Sequence, residues 1–252
     1  MLRPVKKEYG QHFLVDRNIL DVIGRLAELG PDDVVLEIGP GQGVLTRYLA
    51  DRVRRVHAIE IDRGLEPALT RLGDKVDVVF GDALRLELPE DATKLVANLP
   101  YNVATPLVVE SLDGLPNVGL WCVMVQREVA DRFFAEPGTK EYGAVSVLVQ
   151  LAAERTGFHP VSRTVFRPRP NVDSALVAFR RTELPADYGR VQELVAAAFA
   201  HRRKTLPNSV AQAGLATRDE VAAALAAIGR AAEVRAEALG PAEFVALAKV
   251  LQ

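Results

Sequence analysis

The residues most suggestive of chemistry are the cluster "NLPY", Asn98 to Tyr101, which ends an apolar, strand-like run. Asn98 can offer a side-chain carbonyl and Leu99 a backbone carbonyl as hydrogen-bond acceptors, and Pro100 restricts the backbone that carries them. Tyr101 offers an aromatic face on which a purine can stack, an interaction worth ~1 to 3 kcal/mol per base. A strand that ends in an ordinary turn, with Tyr101 as packing, also fits this cluster taken alone.

Such acceptors suit methyl transfer to an exocyclic amine such as N6 of adenine. This nitrogen is a poor nucleophile because its lone pair is delocalised into the ring, and acceptors that draw on its N–H bonds expose that lone pair. Attack on a sulfonium leaves a cationic amine that loses its proton to water, so no general base is required. We therefore expect His57, His159 and His201 to be structural or surface groups, with His12 the exception because of its place in the chain.

A second chemical feature is the segment "EIGPGQG", which follows the first strand-like run. Its glycines, Gly39, Gly41 and Gly43, let the backbone turn tightly and approach a ligand closely. Glu60 ends the next strand-like run about 20 residues further on, where a carboxylate can accept hydrogen bonds from ribose hydroxyls. A glycine loop alone serves geometry as often as function, but the loop together with Glu60 predicts a nucleoside cofactor.

The loop and the residue before it favour S-adenosylmethionine (SAM) as that cofactor. The glycine spacing G-P-G-Q-G departs from the G-x-G-x-x-G spacing of dinucleotide sites, in which a pyrophosphate rests on a helix N-terminus. Glu37 places a carboxylate beside the loop, which suits a cationic, amino-acid-bearing ligand better than a phosphate. Methyl transfer is therefore predicted, and hydride transfer is the weaker rival.

The elements that must position these residues alternate along the first 181 residues, which predicts an α/β fold with a parallel sheet covered by helices. Asp82 ends the third strand-like run, next to the runs that carry Glu60 and Asn98. The predicted strands are 34–39, 55–62, 76–82, 94–100 and 120–126, with 155–161 and 174–181 as a terminal antiparallel pair. The predicted helices between the strands are 44–52, 63–72, 105–112 and 127–136.

The chain changes character near Thr182, where Ala-rich segments without strand candidates begin. We therefore predict a catalytic domain over residues 1–181 and a small all-helical domain over residues 182–252. Ahead of the first strand, Asp16 is a plausible N-cap for a helix over residues 17–29. The segment 3–14, "RPVKKEYGQHFL", fits no element.

Composition limits the classes of protein that remain. The chain has 252 residues, of which 49% are hydrophobic and 25% charged, and its formal net charge is -2. This balance argues against a general polyanion binder, although residues 163–181 hold five arginines against one aspartate. Cys122 lies in an apolar run and predicts a buried, inert thiol in a reducing compartment. Such a compartment predicts a cytoplasmic protein, and because we find no apolar stretch of about 18 residues, we predict no membrane spans.

Taken together, these motifs resemble the ribosomal RNA adenine N6-dimethyltransferases, and in particular their small-subunit branch. The resemblance covers nearly the whole chain and rests on "YGQHFL", "VLEIGPGQGVLT", "IEID", "GDAL", "VANLPYNVATP", "QREVADR", "YGAVSVLVQ", "FRPRPNVDSALV", "HRRKTLPNS" and "RAEALGPAEFVALA". It implies a Rossmann-like class I SAM-dependent methyltransferase, with a mostly parallel sheet of seven strands and a helical C-terminal domain. The implied substrate is the small ribosomal subunit, in which two adjacent adenosines of the 3′-terminal hairpin loop of its rRNA become N6,N6-dimethyladenosine.

The resemblance also implies a role for each matching residue. The implied cofactor contacts are His12, Leu14, Glu37, Gly39, Gly41, Glu60, Ile61, Asp82, Ala83 and Asn98. The implied contacts to the target base are Asn98, Leu99, Pro100, Tyr101 and Phe166, with Phe166 sandwiching the base against Tyr101. The implied RNA contacts are Arg167, Arg169, Arg202, Arg203 and Lys204. A monomer with a role in small-subunit biogenesis is expected, and no metal ligands are implied.

Two positions depart from the family pattern, and three rival functions stay open. His12 stands where the family often has Asn, and Pro207 stands where it has Arg. Within enzymes, the nearest rival is a large-subunit rRNA adenine methyltransferase of the macrolide-resistance type. A ribosome-assembly checkpoint factor with secondary catalysis is the second rival, and a small-molecule methyltransferase is the third.

Overall fold

The computed structural model of the protein describes residues 12–251. Its strands are β1 (Phe13–Leu14), β2 (Val34–Ile38), β3 (Arg55–Glu60), β4 (Val76–Phe80), β5 (Lys94–Asn98), β6 (Leu120–Gln126), β7 (Ala153–Val161), β8 (Phe166–Arg167) and β9 (Ser174–Arg181). Its α-helices are α1 (Arg17–Leu26), α2 (Val44–Ala50), α3 (Glu66–Leu69), α4 (Ala104–Gly114), α5 (Arg127–Phe133), α6 (Ala144–Ala152), α7 (Tyr188–Phe199), α8 (Leu206–Gln212), α9 (Arg218–Ala227) and α10 (Pro241–Val250).

Seven of the strands in the described residues form one sheet in the order β4-β3-β2-β5-β6-β9-β7. The pairs β2–β3, β3–β4, β2–β5 and β5–β6 are parallel, and β9 runs antiparallel to β6. Strand order reverses between β2 and β5, and ligands of such sheets bind beyond the carboxyl ends of the strands at this point. The predicted α/β fold with a mostly parallel sheet of seven strands is confirmed.

The central strands are largely buried because helices cover both faces of a parallel sheet. Every residue of β2 is buried, and in β6 only Gln126 is not. One core cluster joins Ile23 of α1 and Leu49 of α2 to the sheet. Cys122 is fully buried, and burial raises the pKa of its thiol to about 12, as expected for an inert cysteine.

Four of the seven predicted strands extend one or two residues beyond the observed strands β2, β3, β4 and β5 at their carboxyl ends. The prediction includes Gly39, Ile61, Asp82 and Pro100 in strands, whereas the structure places them in the connections beyond the sheet. At these positions the chain leaves the sheet to form the ligand-binding edge. Helix α1 also ends earlier than predicted, at Leu26 rather than residue 29.

Asp16 caps α1 as predicted, since its Oδ1 accepts a hydrogen bond of 2.8 Å from the Asn18 N–H. The prediction that residues 3–14 fit no element needs correction at its end. Phe13 and Leu14 form β1, which pairs antiparallel with Phe166 and Arg167 of β8. Residues 3–11 of that segment lie outside the described residues.

The chain divides into two compact units, and the division differs from the predicted domains. The first unit takes in the described residues up to Ala130 together with Glu154–Arg181, and the second comprises Asp131–Ala153 and the chain from Thr182 onward. The structure therefore has a boundary at the predicted place, but it groups 131–153 with the helices. The reason is packing, because Tyr142 and Val147 are buried in the helical core and the Tyr142 hydroxyl donates to the Leu239 carbonyl at 2.7 Å.

Within residues 12–251, no helix combines the length and the apolar character needed to cross a bilayer. The same residues contain no group of three or more His, Cys, Asp or Glu side chains arranged to hold a metal ion.

Candidate active site

A cleft opens at the carboxyl ends of β2, β3 and β5, at the reversal of strand order. Most of the residues predicted to act in catalysis or cofactor binding line it. They are His12, Leu14, Glu37, Gly39, Gly41, Glu60, Ile61, Asn98, Leu99, Pro100 and Tyr101.

The glycine loop forms one wall of this cleft in a conformation that favours glycine. Gly39 has φ 76° and Gly41 has φ 59°, both in the left-handed region. A Cβ at Gly41 would lie 2.9 Å from Cε1 of Phe13, and a Cβ at Gly39 would lie 3.3 Å from Cδ of Pro100. The missing side chains therefore let the loop approach β1 and the Asn98–Tyr101 cluster.

Glu60 ties the loop to the end of β3. Its side chain is buried, Oε2 accepts a hydrogen bond of 3.0 Å from the Gly41 N–H, and Oε1 accepts one of 2.9 Å from the Asp62 N–H. Burial raises the pKa of Glu60, and the two backbone donors oppose the rise. Each carboxylate oxygen keeps further acceptor capacity, which the predicted contact to ribose hydroxyls needs.

Glu37 is the most unusual group of the cleft because it is buried and incompletely paired. Its Oε2 and the neighbouring Thr46 Oγ1 have no hydrogen-bond partner within residues 12–251. Burial raises the pKa of Glu37 to about 8, and the negative charge of Glu60 adds to the rise. A buried carboxylate without partners is costly unless it meets a donor or a cation.

A second pocket adjoins the cleft and contains the remaining predicted cofactor residues, Asp82 and Ala83. It shares Gly39, Glu60 and Pro100 with the cleft. Asp82 Oδ1 accepts a hydrogen bond of 3.1 Å from the Leu84 N–H, which fixes the carboxylate just beyond β4. All ten predicted cofactor residues therefore line one of two adjoining pockets at the same edge of the sheet.

The Asn98–Tyr101 cluster is held by contacts on either side of the cleft. The Asn98 amide donates to the His12 carbonyl at 3.0 Å, and His12 Nδ1 lies 2.8 Å from the Pro168 carbonyl oxygen. The His12 and Tyr101 ring centroids are 5.4 Å apart. This hydrogen bond uses one N–H of the Asn98 amide, and the side-chain carbonyl oxygen remains an acceptor for a ligand.

Tyr101 is fixed at its far end by a buried partner. Its hydroxyl lies 2.6 Å from Oγ of Ser174, which is 1% exposed at the start of β9. Burial raises the pKa of Tyr101, and the Ser174 hydroxyl acts in the opposite direction. The ring is therefore anchored and neutral, as a stacking surface requires.

Phe166 is the one predicted base contact that the structure does not bring to the cleft. Its side chain is 2% exposed, packs in the core of the first unit and does not line the pocket. The physical reason is the pairing of β8 with β1, which places Phe166 opposite Leu14 in register. In this structure the Phe166 ring therefore packs in the core rather than facing Tyr101 across the cleft, whereas the His12 ring centroid lies 5.4 Å from that of Tyr101.

A family model described as "Ribosomal RNA adenine dimethylase" matches residues 3–252. The chain belongs to the ribosomal RNA adenine dimethylase family. A relative of Rubrobacter xylanophilus named "Ribosomal RNA small subunit methyltransferase A" is 47% identical over 96% of this chain and 93% of its own length. The protein of the same name from Streptomyces coelicolor is 44% identical, with 98% of this chain and 91% of the relative covered.

Solved structures agree with membership of the dimethylase family. A dimethyladenosine transferase from Plasmodium falciparum has a TM-score of 0.80 and 25% identity, with 94% of this chain and 96% of that chain covered. The 23S rRNA methyltransferase ErmE has a TM-score of 0.67 and 31% identity, with 95% and 99% covered. The fold is that of class I SAM-dependent methyltransferases, so SAM is the cofactor that the cleft must accommodate.

The chemistry of the cleft fits SAM. The unpaired Oε2 of Glu37 suits an ammonium group, since a buried carboxylate gains most from a cation. Glu60 lies on the wall shared by the two pockets, and Asp82 lies in the second of them. The acceptors therefore follow one another along the strand ends in an order that suits the amino-acid, ribose and adenine portions of the cofactor.

The predicted RNA contacts of this dimethylase occur in both units. Arg167 and Arg169 are exposed in the first unit, and Arg202, Arg203 and Lys204 are exposed in the second. Arg202 lies 3.9 Å from Glu237, and Lys204 donates to Gln212. Because all five side chains are exposed, they can reach phosphates from solvent.

Pro207, which departs from the family pattern, lies in the first turn of α8. Its missing N–H does not interrupt the helix, because the first N–H groups of a helix have no partner within it. The substitution therefore removes a cation from the second unit but leaves α8 intact.

The sequence did not single out two residues that the structure adds to the site. Phe13 lines the cleft and contacts the glycine loop, and Ser174 anchors Tyr101. Both lie inside motifs that carry the family resemblance, but only the pairing of distant segments reveals which residues they contact.

Proposed function

We propose that this chain transfers methyl groups from SAM to N6 of two adjacent adenosines in the 3′-terminal hairpin loop of small-subunit rRNA. The observation that carries the proposal is that the Asn98–Tyr101 cluster and the glycine loop line one cleft. The names of relatives at 47% and 44% identity support the small subunit as substrate. We further propose a role in small-subunit biogenesis, with the protein acting as a monomer in the cytoplasm.

The residues that would hold SAM are those of the two adjoining pockets. Glu37 would meet the ammonium group, Glu60 the ribose hydroxyls and Asp82 the adenine, while the Gly39 loop allows close approach of the backbone. When bound, SAM supplies an electrophilic methyl group on a sulfonium. The work of the protein is then to place the adenine amine against that methyl group and to exclude water.

The target base is positioned by acceptors and an aromatic surface. Asn98 and Leu99 present carbonyl oxygens toward which the N6 amine donates, which makes its lone pair available. Tyr101, fixed by Ser174, supplies the ring on which the purine stacks. Because the amine becomes cationic as it is methylated, its proton passes to water, and none of the histidines is needed as a base.

Similarity to ErmE keeps a large-subunit substrate as a second candidate, since ErmE is titled a 23S rRNA methyltransferase and is 31% identical to this chain. A third candidate is an assembly checkpoint, in which binding to immature small subunits is the main role and methylation is secondary. The identities of 47% and 44% to small-subunit enzymes favour the first proposal.

One assay separates the small-subunit substrate from the large-subunit substrate. Purified protein and methyl-labelled SAM are incubated in parallel with undermethylated small subunits, mature small subunits and large subunits, and the labelled nucleotides are mapped. We expect label only on undermethylated small subunits, as dimethyladenosine at two adjacent positions. Label on large subunits, or on the protein alone, would contradict the proposal.

The Asn98→Ala variant tests the checkpoint role. It should bind undermethylated subunits but transfer no label, since it lacks an acceptor for the amine. If cells carrying this variant assemble small subunits normally whereas cells lacking the protein do not, the checkpoint becomes the main role.

A further inference from the structure

A second groove in the first unit adjoins the SAM cleft and is rich in arginine. Its walls include Arg17, Arg47, Arg52 and Arg167, with Tyr48 and Asp51 among them. The groove and the cleft share part of a wall, because Phe13 and Gln42 line both. The groove therefore lies directly beside the cleft.

The positive charge of this groove is held in place by packing between α1 and α2. The guanidinium of Arg52 lies 3.6 Å from the centroid of the Tyr48 ring and donates to the Tyr48 carbonyl at 2.9 Å. The Tyr48 hydroxyl donates to Asp21 at 3.1 Å. A Cβ at Gly24 would clash with that hydroxyl, so the glycine of α1 makes room for the ring that supports Arg52.

The arginines of the groove lack compensating carboxylates. All four arginines are exposed, and none forms an ion pair within residues 12–251. The side chain of Arg47 donates only to the Gln42 and Gly43 carbonyls in that part of the chain, each at 3.4 Å. Asp51 is the only acidic residue that lines the groove within the described chain. Uncompensated arginines spread along a groove favour a polyanion over a single small anion, which would need convergent, buried donors.

We propose that this groove binds the phosphates of the RNA strand that continues from the target adenosine. The inference rests on the proposed function and extends it to a surface that the sequence motifs do not single out, apart from Arg167. Single-stranded nucleic acid is held by basic channels that follow its backbone, and arginine donates to phosphate with two N–H groups at once. The groove would set the position of the strand, while the cleft selects the base.

The salt dependence of binding tests the charge of the groove. The affinity of the double variant Arg47→Gln/Arg52→Gln for undermethylated small subunits is measured from about 50 to about 200 mM KCl. Phosphate contacts are sensitive to salt over this range. We expect binding weaker by roughly tenfold and a slope of log affinity against log salt that is shallower by about 1.4, or about 0.7 for each lost contact to a single strand. The charge-retaining variant Arg52→Lys should keep most of the slope.

Arg25→Gln is the matched control, because Arg25 lies on the same helix as Arg17, is exposed and does not line the groove. This variant should bind with the slope of the unmodified protein. Melting temperature and SAM affinity, measured for every variant, identify any loss of folding. A double variant that is folded but keeps the unmodified slope would overturn the proposal.

Crosslinking identifies the occupant. Asp51→Cys places a thiol in the groove while keeping every arginine, and Cys122 is fully buried and cannot compete for the reagent. With a photoreactive maleimide on this cysteine, we expect crosslinks to rRNA within a few nucleotides of the target adenosines. Crosslinks to ribosomal protein alone would overturn the inference. The absence of any crosslink, from a variant that still methylates subunits, would overturn it as well. Absence of methylation by the unmodified protein would instead overturn the proposed function, so the two failures are distinct.

Discussion

At the scale of single residues, the cleft combines side chains that are fixed by hydrogen bonds with one that lacks a partner. Glu60 is held by two backbone N–H groups and Tyr101 by Ser174, so both have a set orientation before any ligand binds. Glu37 differs, because its Oε2 is buried and unpaired within residues 12–251. Preorganised groups and an unsatisfied carboxylate together favour a ligand that brings a cation.

Glu37 predicts that SAM binding depends on pH. With a pKa of about 8, the carboxyl is mostly protonated at pH 6 in the free protein, and a bound ammonium group lowers that pKa. Binding therefore displaces a proton, and SAM affinity should rise with pH, by up to about tenfold per unit, between about pH 6 and 7.5. Isothermal titration calorimetry in buffers of different ionisation enthalpy measures the released proton. Glu37→Gln should bind SAM without this rise, and a rise that persists in the variant would assign the proton to another group.

Ser174 is expected to act through the Tyr101 hydroxyl. Each of Tyr101→Phe and Ser174→Ala removes one partner of the same hydrogen bond and should lower kcat/KM by roughly three- to tenfold, equivalent to about 1 kcal/mol. Because both variants remove one interaction, the double variant should lose no more than either single variant. Steady-state methylation of small subunits measures the cycle. Fully additive losses would show that Ser174 has a separate role.

At the scale of elements, the site is built from the ends of strands rather than from their interiors. Gly39 follows β2, Glu60 ends β3, Asp82 follows β4 and Asn98 ends β5. The parallel sheet brings these four ends to one edge, so residues far apart in the sequence meet in two adjoining pockets. The reversal of strand order between β2 and β5 leaves room for a ligand there.

The glycine loop gives a prediction at this scale. Gly41→Ala forces a left-handed φ on alanine and brings a Cβ to 2.9 Å from the Phe13 ring, so the loop or that ring must shift. We expect SAM affinity to fall by roughly tenfold or more, in line with a cost of about 1 to 2 kcal/mol for a left-handed residue. The control is Gly114→Ala at the end of α4, where an added Cβ meets nothing within 4 Å. Equal SAM affinities of the two variants would contradict the role assigned to the loop.

Much of this arrangement could be predicted from residue types and spacing. The strand-like runs, the glycine loop and the Asn98–Tyr101 cluster are local patterns in the sequence. The alternation of strands with helices predicts a parallel sheet, in which the carboxyl ends of the strands lie at one edge. The orientation of Phe166 could not be predicted, because it depends on the pairing of β8 with β1, more than a hundred residues apart in the chain. The contact of Ser174 with Tyr101 likewise joins distant segments.

At the scale of the whole molecule, the chain forms two units whose sequence boundaries interleave. The segment Asp131–Ala153 interrupts the first unit and belongs with the helices that follow Thr182. Its sequence pattern resembles that of the rest of the first unit, and only the burial of Tyr142 among distant helices reveals where it packs. A single domain boundary near Thr182 therefore could not describe the placement of Asp131–Ala153 in the second unit.

Tyr142→Phe tests that grouping. The variant leaves the Leu239 carbonyl without its buried donor, which should destabilise the helical unit by about 1 to 3 kcal/mol. Hydrogen exchange should accelerate in 131–153 and in α10 together, while β2 and β5 of the first unit remain as protected as before. Acceleration confined to 131–153, with α10 unchanged, would contradict the grouping.

The central claim is that one cleft holds the methyl donor and the adenine amine side by side. A crystal structure of the protein with S-adenosylhomocysteine and an adenosine nucleotide tests this most directly. We predict the amino-acid end of the cofactor at Glu37, its ribose at Glu60, its adenine at Asp82, and the purine of the nucleotide against Tyr101 with N6 facing the Asn98 carbonyl. A cofactor bound elsewhere, or a purine that cannot bring N6 to Asn98, would contradict the account.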